Sequence, residues 1–247
     1  MIAQKQRYQS YWRNRDAEID KALDFELDPE GKISGSGLFM SRLKAFLDHM
    51  ETNGEVIDPW WVRYDRSDIP RRKYFTSSIF KHNPQSVLEL GCCGGCNVMH
   101  FPMDTKTIGL DLNPLAIKYA KKTKPWATFL EKDITLPFDF LEEPVDIICS
   151  MGVLMHIPTE YINGTLTNML NSCRFGFVLM ETVGPEKLIH DRGTPEGPIF
   201  EMLYDIPKRV SEQAEANGQK VSVKVTKPPY ETEQNLHLIE VLKQSSN

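Results

Sequence analysis

The stretch VLELGCCGGCNV, residues 87–98, places three glycines and three cysteines directly behind a short apolar run. An apolar run that ends in glycine is typical of a strand that turns sharply, because glycine permits unusual dihedrals and close approach of a ligand. A helix that begins near Gly94 or Gly95 would present free N–H groups to a carboxylate or phosphate. We interpret the stretch as a ligand-binding turn at the carboxyl end of a strand.

Strands and helices alternate after this turn, which is typical of a parallel, doubly wound α/β sheet. Asn113 and Pro114 have the residue types of a helix cap and a first helical position. The pattern predicts strands at 86–90, 106–112, 127–134, 144–151 and 175–182, and helices at 94–103, 114–124 and 159–173.

The remaining segments differ in character from this alternation. Two further strands are predicted at 220–225 and 235–242, and nine residues between them are too few for a helical crossover, so they should pair antiparallel. A Gly/Pro-rich loop is expected at 184–200, where long loops are often functional, before a helix near 206–217. Residues 1–83 are expected to form an N-terminal helical cap on a domain of residues 84–247.

The composition is that of an ordinary globular protein with 40% hydrophobic and 26% charged residues. The net charge of −5 argues against a nucleic-acid acceptor. No apolar run reaches the roughly 18–20 residues of a membrane-spanning helix, and the N-terminal residues lack the apolar core of a signal peptide. We expect a cytoplasmic protein without a membrane partner, with a homodimer as one option for its oligomeric state.

The glycine spacing distinguishes between nucleotide ligands. A dinucleotide fingerprint requires glycine at the first, third and sixth positions, which here hold Gly91, Cys93 and Cys96. This disfavours a nucleotide-dependent oxidoreductase. Asp111 ends the second strand 20 residues after Gly91, where a carboxylate can accept hydrogen bonds from both ribose hydroxyls. It could equally cap the helix that follows, and the two roles are compatible.

Four segments in order over residues 86–182 resemble the class I S-adenosylmethionine-dependent methyltransferases. VLELGCCGG is similar to the first motif of that family, IGLDLNP to the second, FLEKDI to the third and VDIICSMGVLMHIP to the fourth. The resemblance implies a seven-stranded mixed sheet with its last strand antiparallel and helices on both faces. Cys93 departs from the family, which usually has glycine there, and a positive φ would cost more at cysteine.

The resemblance also implies S-adenosyl-L-methionine as cofactor and S-adenosyl-L-homocysteine as product. The methionine end would lie over residues 91–95, the ribose on Asp111 and the adenine near Asp133. The residues predicted to bind the cofactor are Glu89, Gly91, Cys92, Gly94, Gly95, Asn97, Asp111, Leu112, Asp133, Ile134, Ser150 and Met151.

The predicted catalytic residues are His156 and Glu181, which follow or end the fourth and fifth strands. The sulfonium methyl is already activated, so only an O or N nucleophile that needs deprotonation would use them. His156 could instead be a hydrogen-bonded structural histidine, and His190 in the loop could be solvated. CSMG replaces the Asn/Asp-Pro-Pro-aromatic motif of amino-methylating DNA enzymes, which favours a small-molecule acceptor such as a sugar or secondary metabolite.

Other readings of these residues stay open. The pair Cys93-x-x-Cys96 could be half of a metal or redox site, but no second pair exists at the required spacing, so we favour packing and predict no metal site. Arg63, Arg66 and Arg72 could bind an acidic acceptor or the cofactor carboxylate, although such residues usually lie on the surface. The chain could also be a non-catalytic cofactor-binding subunit that serves a partner.

Overall fold

The computed structural model describes residues 69–194, 197–229 and 236–244, with the backbone alone for 189–194 and 197–200. The described helices are α1 (Ile69–Phe80), α2 (Pro114–Thr123), α3 (Thr159–Ser172) and α4 (Ile206–Ala216), with 3-10 helices at Val98–His100 and Leu154–His156. The strands are β1 (Ser86–Leu90), β2 (Lys106–Asp111), β3 (Thr128–Glu131), β4 (Val145–Met151), β5 (Cys173–Thr182), β6 (Lys187–Thr194), β7 (Gly197–Leu203), β8 (Val221–Thr226) and β9 (Leu236–Lys243).

Within the described ranges, seven strands form one mixed sheet in the order β3-β2-β1-β4-β5-β9-β8. The first five strands of that order are parallel, and β9 runs antiparallel to both of its neighbours. The predicted sheet and the antiparallel pairing of the last two strands are confirmed. The chain winds from β1 outward to β2 and β3 on one side, and from β4 outward to β5 on the other. The strand order therefore reverses between β1 and β4, and open α/β sheets bind ligands at such a point.

The central strand and the first crossover helix form where local sequence favours them. All five residues of β1 are buried, as an apolar strand covered on both faces should be. Asn113 caps α2, because its side-chain oxygen accepts from the N–H groups of Leu115 and Ala116 at 2.9 and 3.1 Å. Pro114 occupies the first turn, as predicted.

Two apolar cores cover the two faces of the sheet. One core joins α1 and α2 to residues such as Val87 and Ile147. The other joins α3 and α4 to residues such as Leu88 and Ile148. Because neighbouring residues of a strand point to opposite faces, Glu89 lies on the same face as Val87, toward α1 and α2.

Three predictions need correction or lie partly outside the described residues. The predicted helix at 94–103 is wrong: turns lead instead into the 3-10 helix Val98–His100, since Gly94 and Gly95 are poor helix formers and Gly95 has φ +78°. The predicted loop at 184–200 is a hairpin in which β6 and β7 pair antiparallel. Of the predicted cap, α1 is described, while residues 1–68 lie outside the described residues.

No helix in the described ranges is long and apolar enough to cross a bilayer.

Candidate functional site

The turn after β1 is built from left-handed backbone. Gly91, Cys93 and Gly95 have φ values of +64°, +54° and +78°. At Gly91 no side chain fits, since a Cβ would lie 2.5 Å from Cγ2 of Val153. Cys93 thus adopts a left-handed conformation at the strain of a non-glycine residue in this region.

Asp111 ties this turn to the end of β2. Its Oδ2 accepts from the backbone N–H of Cys93 at 2.8 Å, and its Oδ1 accepts from that of Asn113 at 2.9 Å. Burial raises the pKa of the Asp111 carboxyl, against the effect of these backbone donors. Each carboxylate oxygen can accept a further hydrogen bond, so the carboxylate keeps capacity for hydroxyl donors.

Glu89 lies beneath the turn in a buried chain of polar side chains. Nδ2 of Asn97 donates to Oε1 of Glu89 at 2.6 Å, and Nη1 of Arg72 donates to Oδ1 of Asn97 at 2.8 Å. Glu89 and Arg72 are only 1% and 3% exposed. Burial raises the pKa of Glu89 to about 8, against the effects of Asn97 and Arg72. Oε2 of Glu89 is buried without a hydrogen-bond partner among the described residues.

Lys124 contacts the turn from α2's end. Its ammonium donates to the carbonyl of Gly94 at 2.9 Å, and it is only 3% exposed. The lysine stem lies against Gly95, where a Cβ would be 2.7 Å from Cδ of Lys124. Lys124 and Arg72 thus bring two buried cations to the same turn.

The segment after β3 lies beside Asp111. The N–H of Lys132 donates to the Asp111 carbonyl at 3.0 Å, which brings residues 132–134 to the edge of the sheet. Asp133 is buried, and its Oδ1 accepts from the N–H and hydroxyl of Thr135. Leu112 and Ile134 are buried apolar side chains of the same edge. This places the predicted adenine residues next to the predicted ribose residue.

The turn after β4 is held by Glu181 of β5. Oε1 of Glu181 accepts from the Ser150 hydroxyl at 2.8 Å, and both oxygens accept from the N–H of Val153 at 3.0 and 3.1 Å. Glu181 is 1% exposed, and burial raises its pKa to about 7, against the effect of these donors. Met151 is half-buried at the end of β4.

His156 ends the 3-10 helix Leu154–His156 and is half-buried. Strand β7 packs against this 3-10 helix. Tyr204, directly after β7, donates to the Ile157 carbonyl at 2.6 Å, so the hairpin is anchored beside His156. The backbone of His190 lies in β6, and its side chain lies outside the described part.

The cysteines of the turn are packed rather than exposed. Cys92, Cys93 and Cys96 are buried, and burial raises the thiol pKa of Cys92 and Cys93 well above the ordinary range. A thiol in that state is a poor nucleophile and metal ligand. These observations favour the packing interpretation of the cluster.

The sequence did not predict the burial of Arg72 and Lys124 beneath this turn. Arg72 stands in an Arg-Arg-Lys triplet and Lys124 in a lysine-rich helix end, and such clusters are typical of solvated faces. Helical spacing gives the only available signal: Arg72 lies three residues before Phe75, which is fully buried in the core.

Known proteins share this fold and this domain. Residues 87–176 match a family model described as "Methyltransferase domain". The magnesium protoporphyrin IX methyltransferase of Synechocystis aligns over 82% of this chain and 100% of its own, with 14% identity and a TM-score of 0.53. No curated protein matches the chain.

Two further solved structures align similarly. The 1,6-didemethyltoxoflavin-N1-methyltransferase of Burkholderia thailandensis covers 87% of this chain and 92% of its own, with 14% identity and a TM-score of 0.52. The N-methyltransferase NodS of Bradyrhizobium japonicum covers 75% of this chain and 88% of its own, with 16% identity and a TM-score of 0.52. Residues 87–176 thus match a methyltransferase domain model, and the seven-stranded mixed sheet has the fold of these solved methyltransferases.

Proposed function

We propose that the protein binds S-adenosyl-L-methionine at the carboxyl ends of β1, β2 and β4 and transfers its methyl group to a small-molecule acceptor. The observation that carries the proposal is the position of Asp111, whose carboxylate joins the glycine turn to the end of β2. The solved methyltransferases of Synechocystis and Bradyrhizobium were obtained with S-adenosylhomocysteine, which supports the same class of ligand.

The charges beneath the turn fit the amino-acid end of such a cofactor. Glu89 has a buried oxygen without a hydrogen-bond partner among the described residues, and an ammonium group would supply one. Arg72 and Lys124 supply positive charge for a carboxylate. With the helix at 94–103 absent, these side chains take the place of the helix N-terminus that the sequence predicted.

The other predicted cofactor residues divide into close-approach and flanking positions. Gly91, Gly94 and Gly95 lack a Cβ and would let the cofactor approach the backbone of the turn closely, while Cys92 is buried behind it. Leu112, Asp133 and Ile134 would flank an adenine, while Ser150 and Met151 would lie on the other side. When bound, the cofactor supplies an activated sulfonium methyl, so the chain's own contribution is alignment and exclusion of water.

His156 is our candidate base for an acceptor that must lose a proton. It is half-buried, and β7 packs against its 3-10 helix, so the hairpin holds the histidine in place. The hydrogen bonds that Glu181 accepts favour a positioning role over a base role. A base role for Glu181 stays a prediction.

The proposal includes a class of acceptor, a domain division, a cellular location and an oligomeric state. Structures with a similar fold include an amino pentose methyltransferase of Micromonospora echinospora, which supports an O or N atom of a sugar or secondary metabolite as acceptor. We keep a cap of residues 1–83 on a domain of residues 84–247, a cytoplasmic location and a homodimer as predictions.

Calorimetry with S-adenosylhomocysteine tests the cofactor proposal. Wild type should bind, and Asp111→Ala should weaken binding at least about tenfold, because a buried charged acceptor is lost. Asp139→Ala removes an exposed aspartate and serves as the matched control. The cofactor proposal is wrong if wild type does not bind, and the ribose assignment is wrong if Asp111→Ala binds equally well.

A methyl-transfer screen separates the remaining alternatives. Labelled S-adenosylmethionine should donate methyl to a component of a metabolite extract. Tight dinucleotide binding in place of S-adenosylhomocysteine would identify an oxidoreductase. Cofactor binding with transfer only after a partner protein is added would identify a non-catalytic subunit.

A further inference from the structure

The buried carboxylate of Glu181 hydrogen-bonds the turn that follows β4. Its carboxylate accepts from Ser150 and from the N–H of Val153. The N–H groups of Leu154 and Met155 also face the carboxylate and lower its pKa, although burial has the larger, opposite effect. A side chain whose oxygens meet several donors is committed to those donors.

The donors all lie between Ser150 and Met155, in the segment that precedes His156. After Ser150 the backbone turns at Gly152, where φ is +65° and the N–H donates to the Met180 carbonyl at 2.9 Å. Val153 then leads into the 3-10 helix Leu154–His156. The carboxylate thus occupies the N-terminal end of the helix that carries His156 and satisfies N–H groups that the short helix leaves unpaired.

The same turn reaches the glycine turn of β1. The Val153 side chain lies directly over Gly91, so close that a Cβ there would clash with it unless Val153 moved. Any movement of Val153 therefore changes the space above Gly91. The Glu181 carboxylate is thus connected through Val153 to the proposed cofactor site at Gly91. Through the 3-10 helix Leu154–His156 it is connected to the proposed acceptor site.

We propose that Glu181 is a positioning residue, whose carboxylate fixes the turn from Ser150 to Met155 and thereby sets the position of Val153 over Gly91 and of His156. The identity of the ligand at Gly91 rests on the proposed function; the fixing of the turn does not. An amide cannot replace the carboxylate without loss, since its NH₂ group would face N–H donors.

Glu181→Gln tests the proposal with two measurements that need no acceptor. The dissociation constant for S-adenosylhomocysteine should rise at least about tenfold. Amide hydrogen exchange at Val153, Leu154 and Met155 should accelerate at least about tenfold relative to the rest of the sheet. Glu186→Gln, an acid-to-amide change at a half-exposed residue that pairs with Arg209, should change neither value.

The outcomes separate this inference from the proposed function. If Glu181→Gln binds and exchanges like wild type but loses methyl transfer, Glu181 is a base and the inference is wrong. If wild type does not bind S-adenosylhomocysteine, the proposed function fails, while the exchange measurement still decides whether Glu181 fixes the turn. If Glu181→Gln does not fold, Ser150→Ala decides: faster exchange at Val153 supports the inference, and unchanged exchange overturns it.

Discussion

The backbone N–H of Cys93 donates a 2.8 Å hydrogen bond to Oδ2 of Asp111, and Cys93 has a φ of +54°. The strained residue of the glycine turn therefore helps to orient the carboxylate at the end of β2, together with the N–H of Asn113. A residue with a Cβ is tolerated here because the cysteine side chain is small and packs in a buried position.

Cys93→Gly should retain S-adenosylhomocysteine binding within about threefold, because relief of the left-handed strain offsets the lost burial and the added freedom of the unfolded chain. Cys93→Val should lower the free energy of unfolding by about 1–3 kcal/mol, since a β-branched residue fits this φ poorly. Urea denaturation and calorimetry measure both effects. Cys93→Ala, small and unbranched, is the control; equal stability of the Val and Ala variants would contradict the argument.

Gly91→Ala should destabilise the protein by about 1–3 kcal/mol and weaken cofactor binding, since it combines a φ of +64° with a clash against Val153. Gly164→Ala is the matched control. Gly164 lies inside α3 with nothing within 4 Å of an added Cβ, so alanine should stabilise by about 0.5–1 kcal/mol. Thermal or urea unfolding of the two variants should give shifts of opposite sign.

Arg72→Met should weaken S-adenosylhomocysteine binding about tenfold, because it removes the donor to Asn97 and a cation beside Glu89. Lys73→Met changes the next residue, which is exposed, and should leave binding unchanged. Calorimetry on both variants checks the expectation. Similar losses in the two variants would show that general charge, rather than the buried chain from Arg72 to Glu89, governs affinity.

Stability should fall as pH rises between about pH 5 and pH 9. Burial raises the pKa of Glu89 to about 8 and that of Glu181 to about 7, from an ordinary value of 4.5. The folded state holds these protons where the unfolded state has released them. Their stabilising contribution is thus complete below about pH 4.5 and is lost as pH passes 7 and 8.

Urea denaturation across this range measures the effect. Each unit of pKa difference corresponds to about 1.4 kcal/mol. Glu89→Gln should flatten the upper part of the profile, since the amide does not titrate. The expectation would be contradicted by a stability that rises with pH over this interval in wild type.

The strands could be predicted from sequence because they depend on local pattern. SVLEL and VDIICSM are apolar runs bounded by turn residues, and both form strands with boundaries within one residue of those expected. The cap at Asn113 is equally local. The predicted position of Asp111 followed from its place at a strand end, where parallel strands meet at one edge, whereas that of Asp133 followed from the resemblance of FLEKDI to the family's third motif.

The remainder depends on contacts that no local pattern encodes. Arg72 is buried because Asn97, 25 residues later, accepts its hydrogen bond. The hairpin β6–β7 contains Gly193, Gly197 and Pro198, which locally indicate a loop, yet its strands pair with each other. The helix expected at 94–103 is wrong because the left-handed turn continues through Gly95.

The position of β9 between β5 and β8 has a consequence for the newborn chain. While the ribosome synthesises the protein, β5 emerges long before its neighbour β9 and waits with one edge unpaired. That edge flanks residues destined for both cores, including Phe177 and Val178, and such edges readily pair with other chains. We therefore expect the edge of β5 to stay open to intermolecular pairing until β9 has been synthesised and pairs with it.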